Sequence, residues 1–202
     1  MMQLYHAPAS PFVRKVMLVL HETGQLDQVD PIAARPQPIG PADPVAGANP
    51  LGKIPTLVRP DGPALYDSRV ICRYLDARAG GRLYPEARIW ETLTLEAMAD
   101  GIMEAALLLV YEARDRAPEA QSADYMAGQW DKIDRALDAI EERWMAHLAA
   151  NRRDIGHLAV AAALGYLDFR HADHGWRSAR PALAAWYARA VDWPAMVATA
   201  PG

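Results

Sequence analysis

Four short stretches hold the side chains best suited to chemistry. The first is Ala9-Ser10-Pro11-Phe12-Val13-Arg14-Lys15. Proline suits the first position of a helix, where its missing N–H breaks no hydrogen bond. Ser10 then falls at the N-cap, with its oxygen placed to accept a first-turn N–H. The remaining N–H groups and the helix dipole make such an end an anion site. An ordinary capped helix accounts for the same residues.

The second stretch is Asn49-Pro50-Leu51-Gly52-Lys53-Ile54-Pro55-Thr56-Leu57. Pro55 stands at the threshold of a strand that belongs in the middle of a sheet, where proline does not fit a ladder. A cis Ile54-Pro55 bond resolves the conflict at a cost of about 0.5–1 kcal/mol. It also turns the Ile54 N–H and C=O outward, towards an extended peptide-like ligand. A loop proline without that function is the alternative. The third stretch is Leu65-Tyr66-Asp67-Ser68. Asp67 at an N-cap and Ser68 in the first turn offer N–H groups and a hydroxyl to a carboxylate, and the Asp67 carboxylate to an ammonium. A zwitterionic amino-acid head group satisfies both, whereas a plain cap explains Asp67 alone. The fourth is Asp154-Ile155-Gly156-His157, at the start of the most apolar segment of the chain.

The elements around these stretches follow from hydrophobic period and punctuation. Gln3 to Ala7 reads as a strand, Pro11 to Glu22 as a helix with Val13, Val16, Met17 and Leu20 inward, and Val29 to Ala33 as a second strand. Arg35 to Pro50 is a long loop dense in proline and glycine, whose order the sequence does not decide. Thr56–Arg59 and Ala64–Tyr66 flank Asp61-Gly62, a hairpin signal. Asp67 then caps a helix to about Arg78, with Val70, Ile71, Tyr74 and Leu75 inward. This order makes a small mixed sheet with helices on it.

Gly80-Gly81 marks a break, and the division is expected between 1–79 and 86–202. The second part reads as helical throughout. Leu95, Met98, Ile102, Ala105 and Leu109 keep helical spacing, as do Trp130, Ile133, Leu137, Ile140, Trp144 and Leu148. Ile155 to Leu167 is apolar nearly all round, as in a helix at a domain centre, and Pro181 to Arg189 is a further helix.

The 202 residues can bury a sizeable core. A net charge of −4 gives no reason to expect nucleic acid or an anionic membrane as partner. The single cysteine, Cys72, excludes an intrachain disulfide and fits a cytoplasmic location. It lies inside a helix and reads as a small buried hydrophobe. No signal peptide or bilayer-spanning run is expected, since the longest apolar run is too short and contains His157. His6 reads as a strand histidine.

The ordered set Ser-Pro-Phe-Val-Arg-Lys, Asn-Pro-x-Gly-x-x-Pro and Asp-Ser, followed by a helical half, resembles cytosolic glutathione transferases of bacterial type along essentially the whole chain. The resemblance implies an α/β thioredoxin-like N-terminal domain, an all-α C-terminal domain and a homodimer, towards which Arg69 and Arg73, on the helix that carries Ser68, would point. It implies glutathione as co-substrate, with no metal or other cofactor. Ile54 would pair with the cysteinyl backbone beside Pro55, Asp67 and Ser68 would hold the γ-glutamyl head, and Lys53 is a candidate for a glutathione carboxylate. Ser10 falls where related classes place a catalytic serine or cysteine. A serine cannot form a mixed disulfide, but its hydroxyl can stabilise the glutathione thiolate, the nucleophile of a conjugation to small electrophiles. Tyr5, at the end of the first strand, is the rival for that role. The acceptor is expected between the domains, with Met103, Leu107 and Tyr111 as candidates. The competing readings are a glutathione-dependent disulfide or peroxide reductase and a non-catalytic interaction protein of the same fold. Asp154 and His157 depart from the family's Ser/Thr-x-x-Asp capping box, so Asp154 is expected to cap the helix while the reciprocal bond stays open.

Overall fold

In a computed structural model, residues 1–39 and 43–201 are described. The expectation for the Arg35–Pro50 loop lies partly outside them, at Gly40, Pro41 and Ala42. Contacts divide the chain into one unit formed by Met1–Glu86 with the segment from Pro194 on, and a second formed by Ala87–Trp193.

The first unit is built on a four-stranded sheet of β1 (Met2–His6), β2 (Val29–Ala33), β3 (Thr56–Arg59) and β4 (Gly62–Leu65), in the order β2-β1-β3-β4. β1 runs parallel to β2 and antiparallel to β3, and β3 runs antiparallel to β4. The parallel pair requires a crossover, supplied by α1 (Pro11–Glu22). Helix α2 (Ser68–Arg78) follows the hairpin. Leu4, Val16, Leu57, Ile71 and Leu75 are fully buried and form the centre of this unit.

Two helix faces differ from the periodicity reading. On α1, Leu18 and Val19 are buried while Met17 is only half-buried. On α2, Cys72 takes the inward place and Val70 is 47% exposed. Positions 71, 72 and 75 form one stripe at helical spacing, and Val70 lies off it.

The second unit is helical, as the sequence indicates: α3 (Ile89–Asp115), α4 (Ala123–Arg143), the short α5 (Met145–Leu148), α6 (Ile155–Arg170) and α7 (Pro181–Ala190). The run expected as one helix through Leu148 breaks at Trp144, between α4 and α5. Every residue of α6 from Ile155 to Leu167 is buried. α3 packs on both α4 and α6. Thr92 reaches Asp154, and the Ala106 carbonyl accepts from His171 Nε2 at 2.9 Å, so α3 and α6 run side by side in the same direction. A Cβ at Gly156 would meet Leu95 Cδ2 at 3.0 Å, which is why the close approach of these helices carries glycine there.

The chain's last helix, α8 (Pro194–Ala198), returns to the first unit. Arg14, buried on α1, donates from Nη2 to the Met196 carbonyl at 3.1 Å and from Nε to Thr199 Oγ1 at 3.3 Å. The sequence placed this segment with the second unit, because its apolar residues carry no mark of which neighbour they cover.

Candidate active site

The sheet topology brings three of the four stretches to one end of the first unit. β1 and β3 are antiparallel with Tyr5 opposite Thr56, so the start of β3 lies beside the end of β1, which leads to Ser10. β4 returns with Leu65 opposite Leu57, which delivers Asp67 to the same end.

Ser10 caps α1. Its Oγ accepts from the Val13 N–H at 3.3 Å, its own N–H donates to the Ala7 carbonyl at 3.0 Å, and Pro11 opens the helix. The first turn carries no acidic side chain, so nothing local offsets the positive end of the dipole. The serine is half-buried. Tyr5 is also half-buried, next to the end of β1 and paired with Ile32 on one side and Thr56 on the other. His6 ends the strand, and burial holds its imidazole below the ordinary histidine range.

The Ile54-Pro55 bond is cis, as expected from the strand position of the proline. The Ile54 backbone makes no hydrogen bond to another described residue. Asn49 fixes the turn before it. Its Nδ2 donates to the Lys53 carbonyl and to Thr56 Oγ1, both at 3.0 Å, and its Oδ1 accepts from the Leu51 N–H at 3.0 Å. Gly52 closes the turn at φ +61°, in the left-handed region where glycine carries no Cβ penalty. The motif thus resolves into parts: Asn49 clamps, Gly52 turns, and Pro55 presents Ile54. Asn49 was not singled out in the sequence, although its place three residues before Gly52 was the available signal. Lys53 is exposed and has no side-chain partner among the described residues.

Asp67 caps α2, with Oδ1 accepting from the Arg69 N–H at 3.0 Å and Oδ2 from Arg69 Nη2 at 3.1 Å. The Tyr66-Asp67 peptide bond is cis, which the sequence did not suggest. Burial works to raise the Asp67 carboxyl, but hydrogen bonds and charge from Arg69, with charge from Lys15, outweigh it and hold the group below the usual carboxylate range. The carboxylate is therefore ionised at neutral pH. Arg69 sits where the sequence had envisaged an ammonium, in an exposed pair worth less than about 1 kcal/mol. A ligand ammonium could displace it. Ser68 is buried at the first position of α2, and no other described residue hydrogen-bonds its hydroxyl. Lys15 is fully buried on α1. An apolar run gives no hint of a buried lysine, and its charge is felt at Asp67 only once the helices are packed.

In the second unit, Met103 has no exposed surface, while Leu107 and Tyr111 are half-buried. Met103 therefore belongs to the packing, and the acceptor reading is kept for the other two. At the start of α6, Asp154 has 1% side-chain exposure. Its Oδ2 accepts from Thr92 Oγ1 at 3.0 Å and lies 2.8 Å from His147 Nε2 and 3.3 Å from Arg88 Nη2. Its Oδ1 lies 2.8 Å from His157 Nδ1, which is also 3.2 Å from the Asp154 N–H. The reciprocal bond that the sequence left open is thus made by a histidine. Unprotonated, Nδ1 accepts the backbone N–H; protonated, it donates to Oδ1. Burial works against the charged form, but the hydrogen bonds and charges of His147 and His157 hold the Asp154 carboxyl far below its ordinary value. His147, Asp154 and His157 have the ligand types of a metal centre. Here they cap a helix, and the Arg88 guanidinium on the same carboxylate opposes a cation.

Residues 9–78 match the glutathione S-transferase N-terminal domain and residues 112–189 the C-terminal domain. The GST-like protein YibF of Escherichia coli K12 is 35% identical over 188 residues, covering 90% of each chain. The chain belongs to the glutathione S-transferase family. A family member from Pseudomonas fluorescens Pf-5, solved with bound glutathione, is 49% identical over the whole of both chains with a TM-score of 0.96. The same relative solved with bound S-(propanoic acid)-glutathione gives 0.92. Among the described residues no helix is long and apolar enough to cross a membrane.

Proposed function

We propose that this chain binds glutathione at the end of its four-stranded sheet and transfers the thiolate to small electrophiles, with Ser10 as the catalytic hydrogen-bond donor. The observation that carries the reading is the unpaired Ile54 backbone beside cis Pro55, at the same end as two capped helix starts. The Ile54 N–H and C=O would take the cysteinyl backbone of glutathione as a short added strand. Asp67 and Ser68 would hold the γ-glutamyl head, and Lys53 a carboxylate. The cysteinyl sulfur would then lie at the Ser10 hydroxyl and the α1 N-terminus, where a negative charge is favoured.

A free thiol has a pKa of about 8.5, so at neutral pH most glutathione is protonated. The Ser10 hydroxyl and the first-turn N–H groups would stabilise the thiolate, and the thiol proton would leave to solvent. The acceptor would be held by Leu107 and Tyr111. Ser10 in place of cysteine disfavours a disulfide-exchanging reductase. The retained set Ser10, Asp67 and Ser68 disfavours a pure interaction role. That two states of a relative carry glutathione and an S-linked derivative supports the same site. A cytoplasmic setting suits the single cysteine.

A homodimer is part of the reading. Arg69 pairs with Asp67 and Arg73 lies over the Tyr84 ring at 5.3 Å, so both have partners within the chain. Support on α2 passes to exposed Val70 between them. A dimeric mass by light scattering at micromolar concentration is expected, and a monomer would remove this part.

Calorimetric titration with glutathione, followed by conjugation of 1-chloro-2,4-dinitrobenzene, tests the whole. Binding with turnover is the expected result. Absence of binding would favour the interaction role over both enzyme readings.

A further inference from the structure

The turn before Pro55 directs more donors at one carbonyl than its shape requires. Two bonds close the turn. Asn49 Oδ1 accepts from the Leu51 N–H at 3.0 Å, and the Asn49 carbonyl accepts from the Gly52 N–H at 2.8 Å. Neither involves Lys53. Yet Asn49 Nδ2 donates to the Lys53 carbonyl at 3.0 Å, and the Thr56 hydroxyl donates to the same oxygen at 2.8 Å. Nδ2 also donates to Thr56 Oγ1 at 3.0 Å, which closes a triangle of three polar atoms. Asn49 is 1% exposed and Thr56 0%. One donor satisfies a buried carbonyl. Two occupy both of its lone pairs and hold the peptide plane in one orientation.

That plane belongs to the Lys53-Ile54 peptide, which is trans. In a planar trans peptide the N–H points opposite to the C=O. Holding the Lys53 carbonyl on Asn49 and Thr56 therefore aims the Ile54 N–H the other way. This N–H has no hydrogen bond to another described residue. Two donors on the carbonyl also polarise the peptide and strengthen its N–H as a donor. The Ile54 carbonyl belongs to the next peptide, across the cis bond to Pro55, and is not part of the triangle.

We propose that Asn49 and Thr56 are positioning residues for the thiol substrate. Through the Lys53 carbonyl they aim the Ile54 N–H at the cysteinyl carbonyl of glutathione, so that this chain selects thiols carrying an acceptor at that point. The inference rests on the glutathione reading above. Neither side chain touches the sulfur in this arrangement, so their role lies in binding and not in ionising the thiol.

The test is a cycle of two ligands on two proteins, read by NMR titration, which reaches millimolar binding. γ-Glutamylcysteamine keeps the head group and thiol of glutathione but lacks the cysteinyl carbonyl and the glycine. Thr56→Val keeps the shape, removes the hydroxyl and leaves Asn49 Nδ2 on the Lys53 carbonyl. It should weaken glutathione about fivefold, the scale of one hydrogen bond. It should change γ-glutamylcysteamine by less than about twofold, the usual margin for uncoupled groups. Thr56→Ser should restore wild-type affinity, and Thr56→Ala, with no added methyl beside Asn49, should repeat the Thr56→Val pattern. In turnover with 1-chloro-2,4-dinitrobenzene the loss should fall on KM for glutathione, while kcat and its pH profile stay as in wild type. Glutathione affinity left unchanged by Thr56→Val, with wild type still binding, overturns this proposal alone. So does an equal loss for both ligands, which would reduce Thr56 to general support of the site. Wild type that binds no glutathione overturns the transferase reading and this proposal with it.

Discussion

Two helix starts in this chain use the same device for opposite ends. Ser10 begins α1 and Asp154 begins α6, and each side chain caps its helix. At Ser10 the cap is one bond of 3.3 Å, the side chain is half-buried, and no carboxylate occupies the first turn. At Asp154 the cap is fully buried and ringed by Thr92, His147, His157 and Arg88. The N-terminal N–H groups attract negative charge in both places. In α6 the chain supplies the charge and closes the site around it, which secures the central helix. In α1 no local charge is supplied, which suits the thiolate site proposed above. Of these two starts, the one without a local anion is the one left open to an outside charge.

The comparison breaks most visibly at Asp154. Asp154→Ala removes a buried charge and strands four partners, so unfolding stability should fall by about 3–5 kcal/mol, well beyond the roughly 1 kcal/mol of an isolated cap. Chemical denaturation reads this as a lower midpoint at an unchanged slope. A loss near 1 kcal/mol would mean that the ring of partners is dispensable.

The same contrast has a pH signature. The folded Asp154 carboxyl lies below its unfolded value of 3.8, so its contribution is complete above that pH and is lost as pH falls below it. Wild type should lose more stability than Asp154→Asn between pH 5 and pH 3, a window of about two units around the unfolded value. Parallel acid limbs in the two proteins would contradict the assignment.

Thr92→Val keeps the shape and removes one bond to the buried carboxylate, at about 1.5 kcal/mol. An unchanged midpoint would assign the cap entirely to the histidines and Arg88.

At the open end the effect moves from stability to rate. Ser10→Ala should cost less than about 1 kcal/mol of stability, leave glutathione affinity nearly intact, and lower conjugation at neutral pH about tenfold. The deficit should shrink above about pH 8.5, where solvent ionises the thiol unaided. Should Ser10→Ala conjugate at the wild-type rate across pH while Tyr5→Phe does not, Tyr5 takes the role.

Much of both helix starts was legible in the chain. Pro11 after Ser10, and Asp67 before an apolar-periodic run, mark caps through local rules that need no tertiary information. Pro55 at a strand threshold announced a cis bond because a trans proline conflicts with the ladder. What escaped notice depends on packing. Lys15 is buried only because α1 is closed over by neighbours distant in sequence. His157 completes the cap of α6 by a side-chain geometry that the Ser/Thr-x-x-Asp pattern does not anticipate. Val70 was read as inward together with Ile71, since both are apolar, and only packing leaves Val70 exposed. Arg69 reads as a surface cation until its guanidinium is seen on Asp67.

The clasp of Arg14 on Met196 and Thr199 makes the first unit discontinuous. A ribosome releases residues 1–86 long before residues 194–201. The sheet that holds glutathione in this reading thus completes its contacts only after the whole helical unit has emerged. Release of this segment becomes an event felt at α1 through Arg14, three residues from Pro11, which opens the helix.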